Sequence, residues 1–406
     1  MSWGFSLALA VFTLFAWGTW SNVLKGNHQV PLTLLMVDFG VGTLFTSVMA
    51  LTAGLDERIL FAGTGTSLTQ EVLLVVCSLA SGVTNSVGNL LIGFAISAIG
   101  LALAVPISLG ISLGLGTVGN FIIDPHGADA SLLFTGVVLA LLAVLCQARA
   151  AALMPAAPAA SVSSRSTQSC RNSELPLEAA PPPDPEAVVL AAALVEHVAD
   201  VGTSLEGSEM GDDHPTSRLT PASRRSMVKV GLALSCTTGL MYMSSGLLAT
   251  IATTFGGAMT PLGINLVFSI GSLPTTVLLV PLIGRCGLLP EAIVGSSCRR
   301  ATLRKYVRLR CSEHLWGFAG GSIFCLGGLA VLVAGSDLGV AVSIAIGQAS
   351  PLVSTVWGIL WFGEYRGCSA WVKLYTAAMM ALYATAVVFV ALSARSTEGG
   401  CRVCIL

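Results

Sequence analysis

Asp38 stands in the apolar run LLMVDFGVGTLF, with Gly42 and Thr46 on the same helical face. A carboxyl in such a run is costly to keep away from water, so it either carries a proton or is a structural acid held by hydrogen bonds. Ser78, Ser81, Asn85 and Asn89 recur at three- and four-residue spacing and form one polar stripe along an otherwise apolar helix. Their amides and hydroxyls suit the amide groups and ring carbonyls of a small neutral solute, or they join helices to one another. A third set lies in residues 347–367, GQASPLVSTVWGILWFGEYRG, where Gln348, Pro351, Thr355 and Gly358 share a face, Ser354 flanks it, and Trp357 and Trp361 lie opposite. Glu364 and Arg366 close that stretch as a gate or a structural ion pair. Trp17, Trp20 and Tyr242 present flat rings that stack on a planar solute, although tryptophans also anchor spans at the membrane interface. No enzyme is expected. His28, His126 and His314 fall in short loops and His197 and His214 in a polar connector, none with a carboxylate or cysteine at ligand spacing. Cys401 and Cys404 supply only half of a tetrahedral metal site. Neither a metal nor a cofactor is expected, and nucleic acid is not expected as a partner.

The elements that must hold these groups are membrane helices. The chain of 406 residues is 54% hydrophobic and 10% charged, against roughly 25% charged in soluble domains. Ten apolar runs approach the ~20 residues needed to cross a bilayer: about 3–23, 30–53, 72–94, 98–121, 130–149, 227–249, 261–284, 315–335, 339–362 and 369–392. The expected fold is all-α, a polytopic membrane protein. Residues 1–149 form a first set of five helices, 150–226 a disordered cytosolic connector, 227–394 a second set of five, and 395–406 a tail. With the connector in the cytosol, 17 of the 20 Lys and Arg fall on its side, leaving Arg58, Arg395 and Arg402 opposite. The connector's GTSLEGS at 202–208 has the glycine spacing of a phosphate loop, but Ser208 takes the place of the lysine, so no nucleotide is expected there. Gly116-Thr117-Val118-Gly119 echoes Ser354-Thr355-Val356-Trp357-Gly358, which suggests that the second five helices repeat the first. An odd number of spans per half inverts the repeats, the arrangement of alternating-access carriers with a midplane site.

Residues 348–366, QASPLVSTVWGILWFGEYR, resemble the signature of the ureide permeases. Trp17-Gly18-Thr19-Trp20, Asp38 with its neighbours, and Gly88-Asn89-Leu90 are similar to that family too, and the order of the spans around the central connector agrees. The resemblance implies the drug/metabolite transporter superfamily, ten helices as an inverted five-plus-five repeat, and proton-coupled uptake of allantoin, uracil and related oxo-derivatives of nitrogen heterocycles. On this reading the partners are a small-molecule solute, a proton and membrane lipid. Asn85, Asn89, Gln348, Ser354 and Thr355 meet the solute near the midplane, Trp20 and Tyr242 wall it, Asp38 exchanges the proton, and Glu364 with Arg366 gates. The competing readings are a sugar carrier of the same superfamily and a non-transporting membrane scaffold acting through the connector. The plasma membrane and an endomembrane are both open as locations, and so is the oligomeric state.

Overall fold

The computed structural model describes residues 2–20, 30–53, 67–99, 101–125, 128–153, 221–255, 259–285, 301–361, 365 and 367–398. Twelve helices account for nearly all of them: α1 (Trp3–Trp20), α2 (Leu32–Ala53), α3 (Leu68–Ile99), α4 (Leu101–Ile123), α5 (Ala130–Ala152), α6 (Pro221–Thr254), α7 (Pro261–Arg285), α8 (Leu303–Tyr306), α9 (Cys311–Leu338), α10 (Val340–Gln348), α11 (Pro351–Leu360) and α12 (Ala370–Glu398). Among the described residues, ten stretches are long and apolar enough to cross a membrane, α10 and α11 together making the ninth. Helices are forced on such segments because each backbone N–H and C=O must find its partner within the segment when water is absent. The protein is therefore an all-α, multi-pass integral membrane protein. Helix α3 exceeds the expected 72–94 at both ends, and α6 begins six residues inside the expected connector. The rest of the connector, including residues 202–208, lies outside the described residues, as do Glu364 and Arg366.

Successive spans cross in opposite directions, so α1 ends and α2 begins at the end of the bundle that carries the connector. Contacts at both ends agree with this: Ser6, early in α1, donates to Asp337 at 2.6 Å, late in α9, whereas Asp38, early in α2, meets His314, early in α9, at 2.8 Å. Gly339 at φ 84° makes the corner between α9 and α10, a backbone region that glycine enters without penalty.

The most extensive packing runs between the two halves: α3 on α6, α5 on α12, α1 on α9, α4 on α6, α2 on α9 and α3 on α7. These contacts pair up when the halves are exchanged. The α2–α9 contact corresponds to α7–α3, and α3–α6 corresponds to α9–α1. The same pairs are brought close by small residues, since lipid tails are as apolar as leucine and helices associate by close packing. A Cβ on Gly42 would press on the Phe318 carbonyl group and one on Gly321 on that of Phe39; across the other pair, Gly82 faces the carbonyl of Phe268 and Gly271 that of Leu79. The fourth span, α4, is buried on one side only, with Leu115 and Ile122 exposed on the other.

Candidate solute cavity

The ninth span is not one helix. Pro351 has no N–H to give to the Gly347 carbonyl, and the chain turns there through short-range bonds instead: Ala349 N–H to Ile346 O and Ser350 N–H to Gly347 O, each at 3.1 Å. Helix α10 stops at Gln348 and α11 restarts at Pro351. Broken helices of this kind are tolerated at membrane depth where they line a cavity. Here the break does so. Gln348, Ser350, Pro351 and Ser354 form one wall of a cavity of about 190 Å³ between the halves. Thr355, expected beside them, is buried but does not reach the cavity. Trp357 and Trp361 are exposed on the outer side of α11, where the apolar face was expected.

Opposite the break stands the stripe of α3. Ser81, Asn85 and Asn89 line the cavity, and Ser78, a turn earlier, instead donates to the Leu74 carbonyl at 3.0 Å. The cavity wall also includes Tyr242 and Ser245 of α6, Asn265 and Phe268 of α7, and Phe324 and Cys325 of α9. Trp17 and Trp20 of α1 complete an aromatic side: Trp17 stacks on Phe324 at 5.9 Å and 18°, and Trp20 meets the same ring edge-on at 5.8 Å. Phe324 and Phe268 carried no sequence signal, because an apolar ring in an apolar span is unremarkable.

The polar groups of the cavity divide into engaged and free. The Tyr242 hydroxyl donates to Asn89 Oδ1 at 2.8 Å, which fixes the amide with its nitrogen turned the other way. Asn265 Nδ2 donates to Ser47 Oγ and to Cys325 Sγ, both at 3.1 Å, and Ser81 and Ser245 exchange hydrogen bonds with one another's backbone carbonyls. Gln348 Nε2 reaches Ser112 Oγ at 3.3 Å. Three buried donors on cavity residues have no partner: Asn85 Nδ2, Asn89 Nδ2 and Trp17 Nε1. A buried donor left unpaired costs about 1–3 kcal/mol, a cost that a ligand offering acceptors removes. Among the described residues, none of the cavity-lining side chains is an acid, a lysine, an arginine or a histidine. The described lining thus joins aromatic faces to unpaired N–H donors without a formal charge.

A model of the ureide permeases matches residues 36–181 and 219–393. The chain belongs to the ureide permease family. The two matched stretches run from within α2 through α5 and from α6 into α12, and the gap between them falls in the connector. Among curated proteins the chain is similar to Ureide permease 4 of Arabidopsis thaliana, 27% identical over 396 residues and covering 94% of each chain. Ureide permease 5 of the same plant is 27% identical over 334 residues, 80% of this chain and 76% of its own. Ureide permease 1 is 28% identical over 307 residues, 74% and 73% respectively.

Asp38 does not belong to the cavity. It is 2% exposed, and no residue of α2 lines the cavity. Its Oδ1 accepts the Tyr306 hydroxyl at 2.6 Å and lies 2.8 Å from His314 Nδ1. The reading of His314 as a loop histidine without a carboxylate is thus corrected: it sits in the first turns of α9, and its partner is 276 residues away in sequence. Tyr306 lies on α8, outside the spans. Burial first, then the hydrogen bond to Asp38 and its charge, hold the phenol well above its ordinary value, so it remains a donor.

Proposed function

We propose that this ureide permease family member is a secondary transporter, not an enzyme, that moves ureides or oxo-derivatives of nitrogen heterocycles, such as allantoin and uracil, across a membrane with a proton. One observation carries the reading: an uncharged, aromatic-walled cavity between the halves presents two partnerless asparagine N–H groups beside a broken helix. Carbonyl oxygens satisfy those donors, a flat ring fits between Trp17, Trp20, Phe324 and Tyr242, and Gln348 with Ser354 meets its edge. Thr355, buried on the same helix as Ser354, remains a proposed solute contact. The names of the plant relatives support transport of a ureide, and the contacts that pair under exchange of the halves support an inverted five-plus-five repeat that rocks about this site. A hexose, with donors around its whole rim, finds few free acceptors here. Asp38 is the buried acid available for the proton, and Glu364 with Arg366 remains the proposed gate.

Uptake of radiolabelled uracil and allantoin by the purified protein in liposomes, with and without an imposed pH gradient, is the deciding experiment. Gradient-stimulated uptake that an excess of hexose leaves unchanged is expected. Uptake abolished by hexose, or uptake in Asp38→Asn with unaltered pH dependence, overturns the solute or the coupling assignment respectively.

A further inference from the structure

The acid proposed for coupling has a definite setting. His314 and Tyr306 both address Asp38 Oδ1, their rings meeting edge-on at 4.8 Å, while Oδ2 is buried without a partner. His314 is the outer member of the pair, its side chain 28% exposed against 4% for Asp38. On the inner side the α9 backbone lies directly on the acid, since a Cβ at Gly317 would come within 2.5 Å of Asp38 Cβ. The next residue of α2, Phe39, packs on Trp20 at 5.1 Å and on Phe324 at 5.3 Å, and both of those rings wall the solute cavity.

We propose that the proton-binding unit is the His314–Asp38 pair, with Tyr306 as its positioning residue, and that it acts on the solute cavity from outside through the α2–α9 contact. This rests on the reading of the chain as a proton-coupled carrier. Because Nδ1 is turned to the carboxylate, Nε2 is the atom that takes a proton from water and later returns it. No other bond is made or broken. The loaded pair is an imidazolium donating to a carboxylate, neutral as a unit; the unloaded pair keeps the Nδ1–H donor and leaves a net negative charge in a dry contact, which favours a different packing of α2 on α9. The charged groups around it do not compete. Arg304, Lys305, Arg308 and Arg310 are exposed, and Glu313 accepts the Arg310 N–H at 2.7 Å. The described side chains of α1 and α7, the other helices packed there, include no ionisable group, and Glu71 of α3 belongs to the opposite end. Proton and solute therefore occupy separate sites and bind together; they do not displace one another.

The test separates binding from coupling. Uracil binding is read from quenching of the cavity tryptophans in detergent, and transport from liposomes in two modes, gradient-driven uptake and counterflow exchange, the second requiring no net proton movement. In H314Q, affinity within about twofold of wild type, retained counterflow, and about tenfold loss of gradient stimulation are expected. An about tenfold loss of uracil affinity means that the proton and solute sites are one, and an unchanged pH profile means that the pair is only structural; either result overturns the proposal. Should H314Q fail to yield monodisperse protein, Y306F keeps the imidazole and carboxylate and is expected to shift the pH profile of uptake while leaving affinity alone. Wild-type protein that neither binds uracil nor exchanges it refutes the carrier reading itself, before any variant is compared.

Discussion

Gly18 gives a sharp test of the packing that holds the cavity together. It lies in α1 between two cavity tryptophans, and a Cβ there would stand 2.5 Å from Val353 Cβ, 2.7 Å from the Ser350 carbonyl oxygen and 2.9 Å from Val353 Cγ1. Carbon atoms in good contact sit about 3.5–4.0 Å apart, so Gly18→Ala must part α1 from α11 by roughly 1 Å. No cheap relaxation exists: Val353 is β-branched and buried, and Ser350 meets the new atom with its backbone. Overpacking of this kind costs about 1–3 kcal/mol. A radial gap of 0.5–1 Å also forfeits about a quarter to a half of the dispersion energy at each contact it opens, and here it opens between Trp17, Trp20 and the broken helix. Gly4 on the same helix has nothing within 4 Å of its would-be Cβ, which makes Gly4→Ala the matched control. Thermal melts in detergent, followed by loss of the monodisperse peak, should show G18A less stable than wild type by several degrees and G4A unchanged, with uracil-induced tryptophan quenching weakened in G18A alone. Equal melting of G18A and G4A would refute the reasoning.

Removing the Tyr242 hydroxyl with Tyr242→Phe leaves Asn89 Oδ1 without its donor and lets the amide turn, so uracil affinity should fall about tenfold, equivalent to about 1.4 kcal/mol, in a quenching titration. Pro351→Ala returns an N–H to the break and allows α10 to continue into α11; the expected result is equal or higher melting temperature together with reduced uptake, measured on one preparation. Asn265→Ala removes the amide that bridges Ser47 and Cys325 but leaves Ser47 bonded to Ser269 Oγ at 2.7 Å and to Cys325 Sγ at 3.2 Å, so the expected loss is about 1 kcal/mol, seen as earlier melting. Deletion of residues 155–215 should leave liposome uptake intact, whereas a scaffold acting through the connector would lose its activity.

The spans could be read from composition because a bilayer tolerates only long apolar helices, and the stripe of Ser81, Asn85 and Asn89 could be read because helical spacing alone puts them on one face. What escaped depends on distance in sequence or on tertiary register. Pro351 was visible, yet taking 347–367 as one continuous helix put Thr355 on the polar face; the break resets the rotation, bringing Ser350 and Ser354 to the cavity and leaving Thr355 behind it. His314 could not be paired with Asp38 from spacing, because the contact needs α2 and α9 to lie side by side at glycines. Tyr306 was hidden for another reason. A four-residue helix in a basic loop has no periodicity to read.

The interlocking of the two halves has a consequence for biosynthesis. Since α3, α1, α2 and α5 find their largest surfaces on α6, α9 and α12, residues 1–152 leave the ribosome with their small-residue seams and the Asn85–Asn89 stripe unmatched. Five inserted helices must then wait in lipid until the second five arrive, oriented by the bias of Lys and Arg toward the connector side and not by contact with the second half. Co-expression of the two five-helix fragments as separate chains should therefore rebuild the bundle, while either fragment alone should be cleared by quality control.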